Sequence, residues 1–453
     1  MSAVRQELRR LVALAVPVVG VQLGMMGFGI VDLWMVARLG SRPMAAVSVA
    51  NVVINGAWIA AVGVLLGLDP IVSQAHGARR GDEAGRALQR GIVLAVLLGF
   101  PVAAAWHFAG PLLRMFGQDP TLLADAQAYC RWQTFSAAPM LVFMAMRQYL
   151  QGRTIVAAPL LVVAVANVLN ALLNWVFIFG HLGAPAMGLR GAALATGLTR
   201  VFLMVALFAL VFLARLHRDA WVPWSREAFR LRGLAHVLRY GLPIAAQLAL
   251  EVWAFGGATL LAGAISTTAV AAHAVVLQFA SLSFMVPLGV SIAAATRVGN
   301  LLGAGDREGA QRAAWVALVV GAGFMLLAAV VFVAGRGILP RFYASDAEVV
   351  GLAATIFPIA AAFQLFDGTQ VVGTGVLRGM GDTRPAAWFN FLGYYAIALP
   401  GGIVLAFGLG RGLAGVWWGL CAGLGIVAAL LVARIAVRGP RTVTALAIPA
   451  ADA

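Results

Sequence analysis

Twelve apolar stretches, each close to the ~20 residues a helix needs to cross a bilayer, account for most of this chain. They lie near 11–36, 46–72, 92–112, 132–150, 157–179 and 191–214, and again near 237–262, 270–295, 313–335, 350–376, 385–408 and 413–433. Hydrophobic residues make up 62% of the chain and charged residues 11%, against about 25% charged in a soluble domain. Mean hydropathy is +0.93. A soluble core cannot bury that much apolar surface, so the expected class is an all-α integral membrane protein. The first run, from Leu11, leads into Asp32 and not into a small-residue cleavage site, so it reads as a span and not a cleaved leader.

The stretches fall six and six, and a repeat ties the two sets together. Gly77-Ala78-Arg79-Arg80-Gly81-Asp82-Glu83-Ala84 returns as Gly303-Ala304-Gly305-Asp306-Arg307-Glu308-Gly309-Ala310, 226 residues later. Arg86 and Arg312, Ala87 and Ala313, Pro17 and Pro243, and Pro159 and Pro385 keep the same offset. A duplicated membrane chain predicts two six-helix lobes around a central cleft. An even number of spans per copy makes the copies parallel, related by a pseudo-twofold axis along the membrane normal. The lobes are expected at 1–214 and 237–453. The polar stretch 215–236, with Trp221, Trp224 and several arginines, reads as a cytoplasmic inter-lobe linker on the membrane surface.

The net charge of +15 comes from 32 arginines and no lysine, a usage that goes with the abundant Ala and Gly of a GC-rich genome. The arginines sit in short loops between apolar runs, so nucleic acid is not the expected partner. With both termini in the cytoplasm, 23 arginines fall on the cytoplasmic side. The other nine, Arg38, Arg42, Arg114, Arg131, Arg190, Arg200, Arg336, Arg341 and Arg411, fall on the far side. That excess of inward positive charge supports the orientation. Cys130 and Cys421 are isolated in apolar context, which argues against a disulfide or a zinc site. The chain has no Walker A segment, no His-Glu-x-x-His, no Gly-x-Ser-x-Gly and no Cys/His cluster. These absences argue against an ATP-driven engine, an enzyme or a bound cofactor.

Most of the 17 acidic residues lie in loops, but three do not. Asp32 is in the outer part of the first helix, Glu251 near the middle of the seventh and Asp367 near the middle of the tenth. A charged group at a bilayer centre costs roughly 2.5–3.5 kcal/mol, and no arginine is expected at these helix centres. A carboxyl group deprived of water tends towards its neutral form and can bind and release a proton; left ionised, it can bind Na⁺ or an organic cation. The plainer alternative is a carboxyl that hydrogen-bonds a neighbouring helix. Asp69, before Pro70, is a candidate gating residue. On the fifth helix Asn170 and Asn174 share a face; with Asn167, and with Thr196 of the sixth, they can coordinate a cation or serve as interhelical glue. His107 and His273 read as packing residues. Gln278, Tyr394 and Tyr395 read equally as cleft lining or helix interface. Met25, Met26, Phe28, Met140, Met144 and Met146 offer soft apolar surface, ordinary packing in a bilayer and suited to flat, greasy ligands in a cleft.

Several segments carry a family resemblance. They are Val31-Asp32-Leu33-Trp34-Met35-Val36-Ala37-Arg38-Leu39-Gly40, Gln74-Ala75-His76-Gly77-Ala78 and Asn174-Trp175-Val176-Phe177-Ile178-Phe179-Gly180 in the first half. In the second they are Val298-Gly299-Asn300-Leu301-Leu302-Gly303-Ala304-Gly305, Leu377-Arg378-Gly379-Met380-Gly381-Asp382-Thr383 and Ala398-Leu399-Pro400-Gly401. In this order and spacing they resemble the multidrug and toxic compound extrusion (MATE) transporters, NorM-like subgroup, over nearly the whole chain. The resemblance implies antiport: H⁺ or Na⁺ enters and a lipophilic, often cationic drug leaves. It implies a coupling role for Asp32 with Asn170, Asn174 and Thr196 as polar neighbours, and for Glu251 and Asp367 as the C-lobe acids. Na⁺ is implied at Asp32 or at Glu251 and Asp367, with no structural metal. Two departures tilt the reading towards protons. Phe363 stands where the subgroup often has a tyrosine, so an oxygen ligand is missing from the cleft. Asn174 stands where some relatives have an acid. The implied setting is the bacterial inner membrane, as a monomer, with small-molecule drugs, organic cations and membrane lipids as partners. A lipid-linked oligosaccharide flippase of the same superfamily is the rival reading, though its anionic cargo calls for arginines in the cleft. A membrane-embedded enzyme is a weaker one.

Overall fold

The computed structural model describes residues 2–115 and 117–446, and among these there are helices and turns but no strand. The expected lobes reach residues 1 and 453; residue 1 and residues 447–453 lie outside the described part. The α-helices of the first half are α1 (Ser2–Ala37), α2 (Ser41–Leu65), α3 (Leu68–Gly77), α4 (Gly81–His107), α5 (Ala109–Met115), α6 (Pro120–Arg131), α7 (Ala137–Gly152), α8 (Ala157–Phe179) and α9 (Leu189–Leu213). Those of the second are α10 (Leu231–Ile265), α11 (Thr267–Gly303), α12 (Arg307–Gly335), α13 (Ala347–Met380), α14 (Arg384–Asn390), α15 (Leu399–Ile403) and α16 (Gly412–Arg438).

Eleven helical segments among the described residues are long and apolar enough to cross a membrane. The twelfth crossing is the pair α6 and α7, broken by a 3₁₀ turn at Thr134–Ser136. Polar side chains hold that break by bonding backbone carbonyls that a continuous helix would use. Ser136 Oγ donates to Gln133 O at 2.6 Å, Gln133 Nε2 to Tyr129 O at 3.3 Å and Thr134 Oγ1 to Cys130 O at 3.4 Å. The twelve expected spans are therefore present, the fourth of them as two separate helices. Apolar side chains on the outer faces, such as Val319, Leu326 and Val330 of α12, stay exposed, as a lipid-facing helix requires.

The described chain divides into two compact units. One is Gly20–Ala245; the other takes in the chain up to Val19 and from Ala246 onward. The long helices α1 and α10 each begin in one unit and end in the other, changing over beside Pro17 and Pro243.

Within Gly20–Ala245, α4 packs on α7 and α8 on α9. Gly63 and Gly67 near the end of α2 meet Gly241 and Ala245 of α10. A Cβ on Gly67 would lie 2.6 Å from Gly241 N; one on Gly63 would run into Ala245 Cα, and one on Gly241 into Val64 O. Small residues four apart on both helices let the backbones touch, a packing mode that membranes favour because lipid supplies no hydrophobic drive between helices. Gly241→Val is therefore expected to abolish the monodisperse peak of the detergent-solubilised protein on size exclusion. Gly263→Val, on the same helix with nothing within 4 Å of its Cβ position, should leave that peak in place. Equal behaviour of the two would remove the packing argument.

The segment expected as linker is pinned to this same unit. Tyr149 Oη donates to Ala220 O at 2.8 Å, Arg153 to Leu216 O and Arg218 O at 2.7 and 2.9 Å, and Gln89 Nε2 to Val222 O at 2.8 Å. A 3₁₀ turn follows at Arg226–Phe229, and α10 starts at Leu231, inside the stretch read as linker.

In the other unit α13 is the hub, packed against α11, α12 and α16. Leu11 and Ala15 of α1 are buried in its core with Val290, Ala294, Val298, Val372 and Leu377. Glu7 takes both prongs of Arg297, at 2.6 and 2.8 Å. Between Phe391 and Gly408 the eleventh crossing runs mostly as π-helix, at Phe391–Ala398 and Val404–Gly408. A Cβ on Gly423 of α16 would lie 2.5 Å from Ala398 Cβ, and one on Gly419 2.5 Å from Gly402 Cα, so α16 packs here backbone to backbone.

The doubled segment is the turn between α3 and α4 and again between α11 and α12. Gly305 has φ 80° and Arg79, 226 residues earlier, has φ 60°. Both copies keep the left-handed turn, although only one spends a glycine on it. Asp306 caps α12 by accepting from Gly309 N at 2.7 Å. At the matching place Arg80 offers no side-chain cap; Asp82 and Glu83 in the first turn of α4 supply the negative charge that a helix N-terminus attracts.

Candidate functional site

Each unit holds a buried polar cluster around an acid. In Gly20–Ala245 that acid is Asp32, brought by α1 against α8 and α9. Asn174 Nδ2 donates to Asp32 Oδ1 at 2.5 Å, and Thr196 Oγ1 lies 2.7 Å from Asp32 Oδ2. Asn174 Nδ2 also lies 3.3 Å from Asn170 Oδ1. The one-turn spacing of Asn170 and Asn174 puts both amides on the face that meets α1. Asn174 Oδ1 and Asn170 Nδ2 are buried without a hydrogen-bond partner among the described residues. Asn167 faces elsewhere: it donates to Gly24 O at 3.0 Å and Val163 O at 2.9 Å, a bond that ties α8 to α1.

Asp32 opens on a cavity of about 310 Å³ lined by Met25, Phe28, Asn51, Asn55, Trp58, Trp106, Tyr129, Gln133, Met140, Asn170, Thr196 and Arg200. The soft surface expected of Met25, Phe28 and Met140 is thus at this cavity. One expectation is corrected here. The sequence places Arg200 on the far side and no arginine at the acids' helix centres. It lies inside α9, lines the same cavity as Asp32 and is close enough to interact with it electrostatically. The signal was available: Arg200 follows Thr196 by four residues within one apolar run. A span tolerates it because Gln133 Oε1 accepts from Nη1 at 2.9 Å and the guanidinium stacks over Trp106 at 5.1 Å.

In the other unit Glu251 of α10 meets Gln370 of α13 and Asn390 of α14. Gln370 Nε2 and Asn390 Nδ2 both lie 3.4 Å from Glu251 Oε2, and Gln370 Nε2 lies 3.4 Å from Asn390 Oδ1. Asp367, one turn before Gln370, is buried and close enough to Glu251 to feel its charge. Gln370 and Asn390 were not singled out from the sequence. Tyr394 is fully buried, its hydroxyl without a partner among the described residues. Tyr395 Oη donates to Leu250 O at 3.1 Å. Both tyrosines and Asn390 sit at the π-helical stretch, a deformation that often accompanies function. Phe363 is buried edge-on against Phe255 and Trp417, with centroids at 6.0 and 5.7 Å. Among the described residues no basic group acts on either acid here, whereas Asp32 shares its cavity with Arg200.

The remaining expected residues stand apart from both clusters. Asp69 is buried in the first turn of α3, where a carboxylate suits the helix dipole. Gln278 is half-buried on α11. His273 lies 3.2 Å from Thr259 Oγ1 and packs on Trp417, and His107 ends α4. Among the described residues no three His, Cys, Asp or Glu groups converge as a metal site.

The MatE family model matches this chain twice, over residues 17–176 and 243–404. The two matches start 226 residues apart, the offset of the repeat. "Probable multidrug resistance protein NorM" of Mesorhizobium japonicum is 38% identical over 441 residues, 95% of this chain and 94% of that protein. "Multidrug resistance protein NorM" of Aliivibrio fischeri is 30% identical over 445 residues, 96% and 95% of the two chains. The fold is that of the eukaryotic MATE transporter AtDTX14, with a TM-score of 0.89 at 24% identity over 97% of this chain and 99% of that one. The MATE transporter VcmN of Vibrio cholerae in the bent form gives 0.85 at 22% identity, covering 98% and 99%.

Proposed function

This chain belongs to the MatE family, and from that premise we propose that it exports lipophilic and cationic compounds in exchange for protons by alternating access. It is a multidrug efflux transporter and not an enzyme. The observation that carries the antiport reading is Asp32: a buried acid on a drug-sized cavity with aromatic walls, held by two neutral donors. A proton and a cationic substrate compete for its one negative charge, so each expels the other. Thr196 and Asn174 hold the carboxylate in place whichever partner it has.

The choice of proton over Na⁺ rests on charge. Na⁺ is held by several oxygens at once, and a negative charge among them strengthens the site. Asn170, Asn174 and Thr196 could offer oxygens, but Arg200 offsets the charge of Asp32 in the same cavity. Glu251 and Asp367 form the more negative cluster and offer a second place where a proton or a cation can be held. The protein works in the bacterial inner membrane as a monomer with both termini in the cytoplasm.

The test is efflux of a cationic dye from proteoliposomes under an imposed pH gradient and, separately, under an imposed Na⁺ gradient. Efflux driven by the pH gradient alone is the expected result. Efflux driven only by Na⁺ would reverse the ion assignment, and no gradient-driven efflux of any dye would overturn the antiport reading.

A further inference from the structure

Arg200 neither takes nor gives the exchanged proton, yet its position is fixed by several contacts. It follows Thr196 by one turn of α9, so both side chains reach the same cavity. Its Nη1 donates to Gln133 Oε1 at 2.9 Å and lies 3.5 Å from Ser136 Oγ. Gln133 is itself held through Nε2 by the Tyr129 carbonyl. The guanidinium rests on the Trp106 ring. These contacts fix its position and occupy only one of its three nitrogens. Nε and Nη2 make no hydrogen bond among the described residues. A guanidinium carries five donors in a planar fork that matches a carboxylate.

Arg200 does not quench Asp32 by direct pairing. Both oxygens of Asp32 are taken, one by Asn174 and one by Thr196, and no ion pair joins the two residues. The cavity therefore presents a fixed negative group and a fixed positive group side by side, with Phe28, Trp58 and Tyr129 on its walls.

We propose that Arg200 is an anion subsite. It takes the carboxylate of an aromatic zwitterion whose ammonium group lies on Asp32, so that amphoteric compounds are preferred over simple cations of the same shape. This rests on the reading of the Asp32 cavity as the place where cargo binds. A group with two separated charges satisfies both poles, whereas a simple cation leaves Arg200 facing a like charge. The unused donors supply the bonds, and the charge of Arg200 gives them their selectivity.

The test is calorimetric binding to the full-length protein in lipid nanodiscs with three probes. Norfloxacin carries an ammonium and a carboxylate, its ethyl ester carries the ammonium alone, and ethidium is a fixed cation. The wild type should bind norfloxacin at least about tenfold tighter than the ester, one charge-assisted bond's worth. Arg200→Met should erase that lead while tightening ethidium and the ester. Arg200→Lys should keep part of it. Tightened ethidium binding also shows that the variant is folded. The proposal is overturned if Arg200→Met and Arg200→Gln weaken all three probes alike, or if norfloxacin keeps its lead without Arg200. It is also overturned, with the efflux reading intact, if the wild type binds the cations but does not distinguish norfloxacin from its ester. If the wild type binds none of the three, the efflux reading falls with it.

Discussion

Asp32→Asn is expected to reduce pH-gradient-driven efflux of a cationic dye from proteoliposomes to the passive leak. The asparagine cannot exchange a proton or carry the charge for which proton and substrate compete. It should nevertheless fold. Its carbonyl oxygen can still accept from Thr196 Oγ1 or Asn174 Nδ2, which hold Asp32 at 2.7 and 2.5 Å. Turning over the Asn174 amide brings its buried, unpartnered Oδ1 to the new amide protons, which restores a hydrogen bond between the two residues. Loss of transport with a near-native melting temperature is thus the combination to look for. Coupled efflux at the wild-type rate in this variant would remove Asp32 from the mechanism and move attention to Glu251 and Asp367.

Asp367→Asn should give a different pair of results, slower efflux together with a more stable protein. Asp367 and Glu251 lie close together, and among the described residues no basic side chain acts on them. Two like charges in a low-dielectric interior repel strongly, and the asparagine removes that repulsion while keeping the shape. A gain of about 1 kcal/mol raises the thermal midpoint by roughly 2–4 °C for a unit of this size. Glu251→Gln should act in the same direction, less strongly, because Gln370 and Asn390 lose a charged acceptor. Fluorescence-detected thermal melts, run beside the dye assay, decide the matter. A lower midpoint in Asp367→Asn would mean that the carboxyl is a structural hydrogen-bonding group and that its assignment to cargo or ion is wrong.

Much of the fold is legible in the amino-acid sequence, for physical reasons that differ between elements. The spans were legible because a lipid-facing helix must be apolar all round. The duplication was legible because a left-handed turn and helix-starting acids leave marks at 77–84 and 303–310. Asp32, Asn170, Asn174 and Thr196 could be gathered because Asn170 and Asn174 share a helix face and a family pattern named the rest. The break at Thr134–Ser136 was hidden, since it is held by side-chain bonds and not by glycine or proline. The π-helical stretches leave no periodicity to read. Gln370 and Asn390 stand 119 and 139 residues from Glu251, so no local spacing connects them. Arg200 was misplaced because counting arginines by side treats each as a loop residue. Its partners, Gln133 and Trp106, come from other helices.

The crossing-over of α1 has a consequence for how the protein is made. Residues up to Val19 belong with the unit that resumes only at Ala246. Leu11, Ala15 and Glu7 leave the ribosome long before their partners Val290 and Arg297. At 5–20 residues per second the first half of α1 waits roughly 10–50 s for them. The unit Gly20–Ala245 has all its parts as soon as Ala245 is synthesised. The first half of α1 is therefore among the last parts of the fold to dock. During synthesis the proline-bearing α1 is a helix with one end seated and the other still unclaimed, the stage at which a membrane chaperone or a quality-control protease would meet it.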